Sequence, residues 1–162
     1  MKNKFASGSP TKGTSVGGVE AAAKIMNLVK VDMANTILAK ISDQDEDLAT
    51  EIQDNMFKFD TLVAMDNRAI QAILRTVSQD QLAKALKGVD DKTLQKFLIN
   101  MSRRAKERLL DDMHDLTSLK ATDIEMAQKN ISRTARKLAD AGDIVLAIRR
   151  DEFVWTARQM AD

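Results

Sequence analysis

The sequence predicts an all-α fold, and three observations carry that prediction. Its single proline, Pro10, stands near the N-terminus, so the remainder lacks the residue that most strongly breaks helices. Tyrosine is absent and β-branched residues seldom cluster, which leaves few candidate strands. Apolar residues instead recur at steps of three and four along most of the chain.

Residues 1–16, rich in Ser, Gly, Lys and Thr, read as a flexible linker or tail. Gly17-Gly18 reads as a joint, because paired glycines resist regular helix. A first helix then places Val19, Ala22, Ala23, Met26 and Val29 on one side. A second carries Ala34, Ile37, Leu38 and Ile41 on one stripe. The acidic run 43–47 opens a third, favoured there by the helix macrodipole, with Leu48, Ala49, Ile52 and Met56 as its apolar side. Three short, tightly joined helices over 17–57 make an armadillo-like subdomain, a unit that buries its faces by stacking on a neighbour.

After Phe59 the pattern restarts, and 58–162 reads as a second compact helical subdomain. Asp66 is placed as the N-cap before Ile70, Ile73, Leu74 and Val77. Ser78 with Gln81 makes a capping box ahead of Leu82, Ala85 and Leu86, and Gly88 ends that helix. Asp90 or Asp91 caps the next, which carries Leu94, Phe97, Leu98 and Met101. A longer helix covers about 102–116. Thr122 with Glu125 makes a second capping box, opening a helix with Ile124, Ala127, Ile131, Ala135 and Leu138 that Gly142 stops. The run 144–148 is either extended or helical, since periodicity does not decide between them. Phe153 and Trp155 are expected to dock on the body.

Charge excludes several function classes. Positive and negative residues nearly cancel, to a net charge of +1, although 30% of residues are charged. That balance suits helices laced with exposed ion pairs. It does not suit a nucleic-acid binder, which needs excess Lys and Arg, nor a polybasic membrane-surface segment. With no cysteine, disulfides and thiolate metal sites are excluded. No apolar run approaches the roughly 20 residues of a membrane span. The basic N-terminus lacks the apolar stretch of a secretory signal, so the chain is expected to be cytoplasmic.

Catalytic chemistry finds little support. The only histidine, His114, has no neighbouring Cys, Ser–Asp relay or second His in sequence, and reads as a surface residue. Asp111-Asp112 and the acidic run 43–47 offer carboxylates, but the calcium-loop pattern is missing. There is no Gly-rich phosphate loop and no nucleophile elbow. The chain is therefore expected to be a protein-interaction module rather than an enzyme, with no cofactor, no metal and no small-molecule substrate.

One charged arrangement stands out. Arg104, Arg108, Asp111 and Asp115 fall at steps of four, three and four, so they form one stripe on the helix around 102–116, with Asp112 at its edge. Ala105, Leu109, Met113 and Leu116 lie opposite, toward the core. The plain reading is a solvated face with local ion pairs, each worth about 0–1 kcal/mol. The functional reading is a docking ridge whose charges steer a complementary partner.

Several segments then occur in one order: GGVEAAAKIMN (17–27), MFKF (56–59), MDNRAIQAILR (65–75), LAKALKG (82–88), KFLINMSRRAKERLLDDM (96–113) and DIEMAQKNI (123–131). Together they resemble the C-terminal region of the flagellar motor switch family FliG, from about Gly17 to Val145. The family's amino-terminal and middle domains, including the EHPQR segment, find no counterpart in this sequence. The resemblance implies a rotor component, peripheral at the cytoplasmic face of the inner membrane in the flagellar basal body. It implies an armadillo-type subdomain, an MFxF hinge at Met56, Phe57 and Phe59, and a terminal subdomain whose charges face the stator. Matched motif by motif, those stator-binding charges are Lys87, Arg104, Asp111, Asp112 and Lys120. Gly17 and Gly18 match the family's linker.

The implied partners are the stator cytoplasmic loop of the MotA/PomA type, the switch protein FliM and neighbouring FliG subunits, with no nucleic acid. Two departures are visible: the family's Gly-Pro-Val is Thr117-Ser118-Leu119 here, and the charge that follows is Lys120 rather than Arg. The physics suits torque transmission, since exposed charges give fast, steered and weak encounters, whereas a buried apolar interface separates slowly. The rival expectation is a generic helical-repeat scaffold that binds through its apolar face and ignores the ridge.

Overall fold

The structure, a computed structural model, describes residues 12–145, with side chains from Gly18 onward. Of the linker expected over 1–16, residues 1–11 lie outside the described residues and 12–16 are instead helical; residues 146–148 and the expected docking of Phe153 and Trp155 also lie outside them. Among those described there are eight α-helices, one 3-10 helix and no strand. The chain divides into two compact units between Met56 and Phe57, one residue before the boundary the sequence suggested.

The first unit holds α1 (Lys12–Met26), α2 (Val31–Gln44) and α3 (Glu46–Met56). Its core is Val19, Ala23 and Met26 of α1, Ala34 and Leu38 of α2, and Ile52 of α3. The Asn27 side chain donates to the Met56 carbonyl at 3.2 Å, which ties the end of α1 to the end of α3. Asp45 both closes α2, through its N–H to Ile41, and opens α3, where its carboxylate accepts from the Leu48 N–H at 3.0 Å.

Two expectations about this unit are corrected. The glycine pair does not precede the first helix, because α1 starts at Lys12 and runs through Gly17 and Gly18. A helical glycine costs only about 1 kcal/mol relative to alanine, and burial of Val19 and Ala23 further along the same helix outweighs it. Leu48 is 37% exposed and falls off the apolar side of α3, whereas Ala49 and Ile52 are buried.

The second unit opens with a 3-10 helix, Phe59–Ala64, that periodicity did not reveal. Four helices follow: α4 (Asn67–Thr76), α5 (Gln79–Leu86), α6 (Asp91–Leu98) and α7 (Arg103–Asp115). Each has a side chain on its first turn: Asp66, Ser78, Asp90 and Ser102 accept from the N–H groups of Ala69, Gln81, Thr93 and Ala105. The last helix, α8 (Ala121–Asp140), packs along α5, and also against α4 and the 3-10 helix. Leu62, Ile70, Ile73, Ala85, Phe97, Leu109, Ile131 and Ala135 are wholly buried at the centre.

Helix ends again differ from the sequence reading in two places. Thr122 does not cap α8; the helix starts earlier, and the Asp123 carboxylate reaches back to the Lys120 N–H at 3.2 Å. Gly88 follows α5, but its importance is packing: a Cβ there would stand 2.8 Å from Ile124 Cγ2, so α8 passes too close for any side chain. Gly142, by contrast, has φ 83° and ends α8 in a Schellman arrangement, with the Gly142 N–H on Ala139 and the Asp143 N–H on Leu138. The chain then buries Ile144 against the second core.

Candidate functional site

The α7 helix organises the charged residues singled out from sequence. Ser102 fixes its start, and Leu109, only on its inner side, is fully buried, with Met113 and Leu116 packed partly against the same core. Burial of that side turns Arg104, Arg108, Asp111 and Asp115 outward, and all four are exposed. Asp112, at the edge of the stripe, is half-buried. Arg104 and Asp111 are seven residues apart, about 10 Å along the axis, and so lie in line yet too far apart to pair directly.

The ion pairs that do form lie elsewhere. Glu20–Lys24, Asp80–Lys84 and Arg103–Glu107 each pair one helical turn apart. Asp80 holds the Lys84 amine above its ordinary value, first through the hydrogen bond and then through its charge. None of the three includes Arg104, Arg108, Asp111, Asp112 or Asp115. The stripe therefore keeps its charge outward instead of neutralising it within the fold.

Lys87 reaches this helix through tertiary structure. It lies just past α5, exposed, and its Nζ donates to the Met113 carbonyl at 2.7 Å. That carbonyl belongs to the last turn of α7, where carbonyls lack intrahelical partners and attract a cation. The contact spans 26 residues, so no local pattern could have disclosed it. Lys120 is also exposed and stands as the N-cap of α8, beyond the connection that follows α7. No hydrogen bond or ion pair joins it to the stripe among the described residues.

The MFKF segment crosses the division between the units. Met56 ends α3 and packs partly against the first core. Phe57 and Phe59, 4% and 5% exposed, belong to the second core. Phe59 stacks on Phe97 with ring centroids 5.8 Å apart and planes 4° from parallel. Lys58 between them is exposed. The segment is thus anchored on one side by a flexible thioether and on the other by two rings.

No group of three or more His, Asp or Glu residues gathers as a metal site among the described residues. No described helix is long and apolar enough to cross a membrane. His114 is exposed near the end of α7.

Comparison with known proteins places this geometry in context. Residues 39–146 match the family model for the FliG C-terminal domain. The chain is 44% identical over 154 residues to the flagellar motor switch protein FliG of Vibrio cholerae, covering 95% of this chain and 44% of that protein. It is 43% identical to the FliG of Pseudomonas aeruginosa, over 90% of this chain and 43% of that one. Among solved structures, full-length FliG from Aquifex aeolicus aligns at a TM-score of 0.72 and 35% identity, covering 77% of this chain and 39% of that one. FliG residues 116–343 from H. pylori align at 0.60 and 38% identity, covering 79% of this chain and 56% of that one. The chain thus spans less than half the length of the curated relatives it matches here.

Proposed function

Because this chain belongs to the FliG C-terminal domain family, we propose that it is the stator-facing part of a flagellar motor switch, and that the α7 ridge transmits torque. The observation that carries this reading is the outward charge of Arg104, Arg108, Asp111 and Asp115 along one face of α7, which none of the three ion pairs neutralises. A contact that must form and release many times cannot rest on a large apolar seal, and exposed charge supplies steering with fast release. Arg104, Asp111 and Asp112 meet the oppositely charged groups of a stator cytoplasmic loop. Lys87, held against the end of α7, and Lys120, at the start of α8, extend the same recognition.

In this reading the Met56, Phe57 and Phe59 segment is the hinge. It joins two separately packed units through a short connection, which is the arrangement a reversible switch needs. The other partners are FliM and neighbouring FliG subunits, and the site of action is the cytoplasmic face of the inner membrane. No catalytic step is required of any residue.

The purified chain, titrated with a stator loop peptide, tests the ridge in isolation. Binding should weaken as salt rises, because exposed charges are screened beyond about 10 Å at 0.1 M ionic strength. Arg104→Asp should weaken it further and leave the circular dichroism unchanged. Affinity indifferent to both salt and charge reversal would favour a helical-repeat scaffold that binds through its apolar face.

A further inference from the structure

The helix that carries the ridge is the one least held by the core. Of the 13 residues of α7 only Leu109 is buried, fewer than in any other helix of the second unit, whereas the shorter α5 buries Leu82, Ala83, Ala85 and Leu86. Met113 and Leu116 pack only partly against the same core. One buried leucine fixes where a helix sits but leaves its roll about its own axis weakly determined. Roll matters for a charged face. At a radius of about 5–6 Å, a turn of about 30° carries a side chain by about 3 Å, as far as an ion-pair contact is long.

Two polar contacts supply the missing constraint, one at each end of α7. Asn100 stands half-buried in the turn between α6 and α7, just before the cap Ser102. Its Nδ2 donates to the Lys96 carbonyl at 2.8 Å and to Asn67 Oδ1 at 3.2 Å, and its Oδ1 accepts from Gln71 Nε2 at 3.2 Å. Lys96 Nζ donates to the same Asn67 oxygen at 3.2 Å. Both ends of the Asn100 amide are thus engaged, and the turn into α7 is tied to the start of α4. At the other end Lys87 Nζ holds the Met113 carbonyl at 2.7 Å, and the charge on the donor strengthens that bond.

We infer that Asn100 and Lys87 are positioning residues that set the roll of α7, and with it the direction in which Arg104, Asp111 and Asp112 face. The consequence for binding rests on reading the α7 ridge as the stator contact; the clamp itself does not. Asn100 carries no charge and so adds nothing to steering; it acts through the helix it holds. Lys87 has two parts: its charge joins the ridge, and its donated hydrogen fixes the helix.

The absence of cysteine permits a direct measurement. Spin labels introduced through Arg108→Cys on α7 and Glu125→Cys on α8, both exposed, report the separation of the two helices in the full chain by pulsed electron resonance. The expected result is one narrow distance distribution in the otherwise parental protein. Asn100→Ala should shift or broaden it by about 3 Å, and Lys87→Met likewise, while Lys87→Arg, which keeps a cationic donor, stays near the parent. Gln71→Ala, at an exposed residue, removes a single bond to Asn100 and decides the matter by a smaller change if Asn100→Ala does not fold. An unchanged distribution in the folded variant overturns the proposal. So does a lowered melting temperature with no displacement of α7, the mark of a residue that only adds stability.

Titration with the stator loop peptide separates the clamp from the ridge. Asn100→Ala should bind severalfold more weakly although no charge has changed. Full affinity with a displaced α7 overturns the positioning role. A parental protein that does not bind the loop counts against the ridge as the stator contact, and the clamp is then decided by the distances.

Discussion

The two units of this chain solve the same problem unequally. The second closes on itself: Leu62, Ile70, Ile73, Phe97, Leu109 and Ile131 are wholly buried, and four of its helices carry side-chain caps. The first has a core of six residues, none wholly buried, and α2 begins at Lys30 with no side-chain cap. Around the α1–α2 turn it also exposes Ile25, Leu28, Val31 and Met33, at 56%, 67%, 39% and 56%. The second unit exposes Ile99, Leu110 and Met126 as well, so the contrast lies in the smaller core behind the exposed residues of the first, and a cluster of that kind makes the α1–α2 turn a candidate interaction surface. The lesson is one of division: the self-sufficient unit can present a rigid charged ridge, and the incomplete one can serve assembly.

Substitutions can break or sharpen that contrast. The largest effect is expected in the closed core. Phe59→Ala removes a buried ring stacked on Phe97 and should cost about 3–5 kcal/mol, read as an earlier denaturant midpoint of the second unit. Leu38→Ala in the first unit should cost less, about 2–3 kcal/mol, because that core is looser. Equal losses would erase the distinction. If cells carrying Phe59→Ala at normal protein levels still reverse rotation normally, the segment is core and not hinge.

Next comes Gly88→Ala. Its new Cβ would meet Ile124 Cγ2 at 2.8 Å, so α8 or the isoleucine must shift, at about 1–3 kcal/mol by thermal unfolding. Gly18→Ala is the counterpart in the first unit. There a Cβ meets nothing within 4 Å, and alanine should be neutral or slightly stabilising.

Association should follow the exposed apolar surface. Sedimentation of the parent should show weak, concentration-dependent dimers. Leu28→Lys with Met33→Lys should raise the dissociation constant about tenfold or more, a change of roughly 1.4 kcal/mol. Met126→Lys, at an exposed residue of the second unit, should leave it unchanged. A strictly monomeric parent would show that the first unit covers its own face.

The smallest effect is acid sensitivity at Asp90. Hydrogen bonds from the Thr93 side chain and then its backbone N–H hold this carboxyl below its ordinary value. A depressed folded value means stability that is present above the unfolded pKa and lost as pH falls through the folded one. Asp90→Asn should therefore flatten the acid side of the stability profile and leave neutral pH nearly unchanged. A profile identical to the parent's would mean the cap does not titrate with folding.

Local patterns disclosed much of this fold. Asp66 and Ser78 were legible as caps because a capping side chain and its N–H donor lie three residues apart, within any short window. The outward stripe on α7 was legible for the same reason, being helical arithmetic within a single element. Three features were not. Asp123 and not Thr122 sets the start of α8, since either could have closed a turn there and only packing selects one. The glycine pair was outvoted by the helix that continues through it. Lys87 on Met113, like the approach of Ile124 to Gly88, joins residues more than twenty apart and exists only once α5 has packed on its neighbours. The exposed charge of the site was thus visible in the sequence, and its support was not.

The central claim is that charge on the α7 ridge, and not its packing, does the work. A combined Arg104→Asp, Asp111→Arg and Asp112→Arg protein, expressed in motile cells at parental levels, tests it most directly by swimming speed. The account predicts a folded protein, assembled flagella and lost or severely impaired swimming, partly restored by the opposite reversal on the stator loop. Cells that swim at parental speed with all three charges reversed would contradict it.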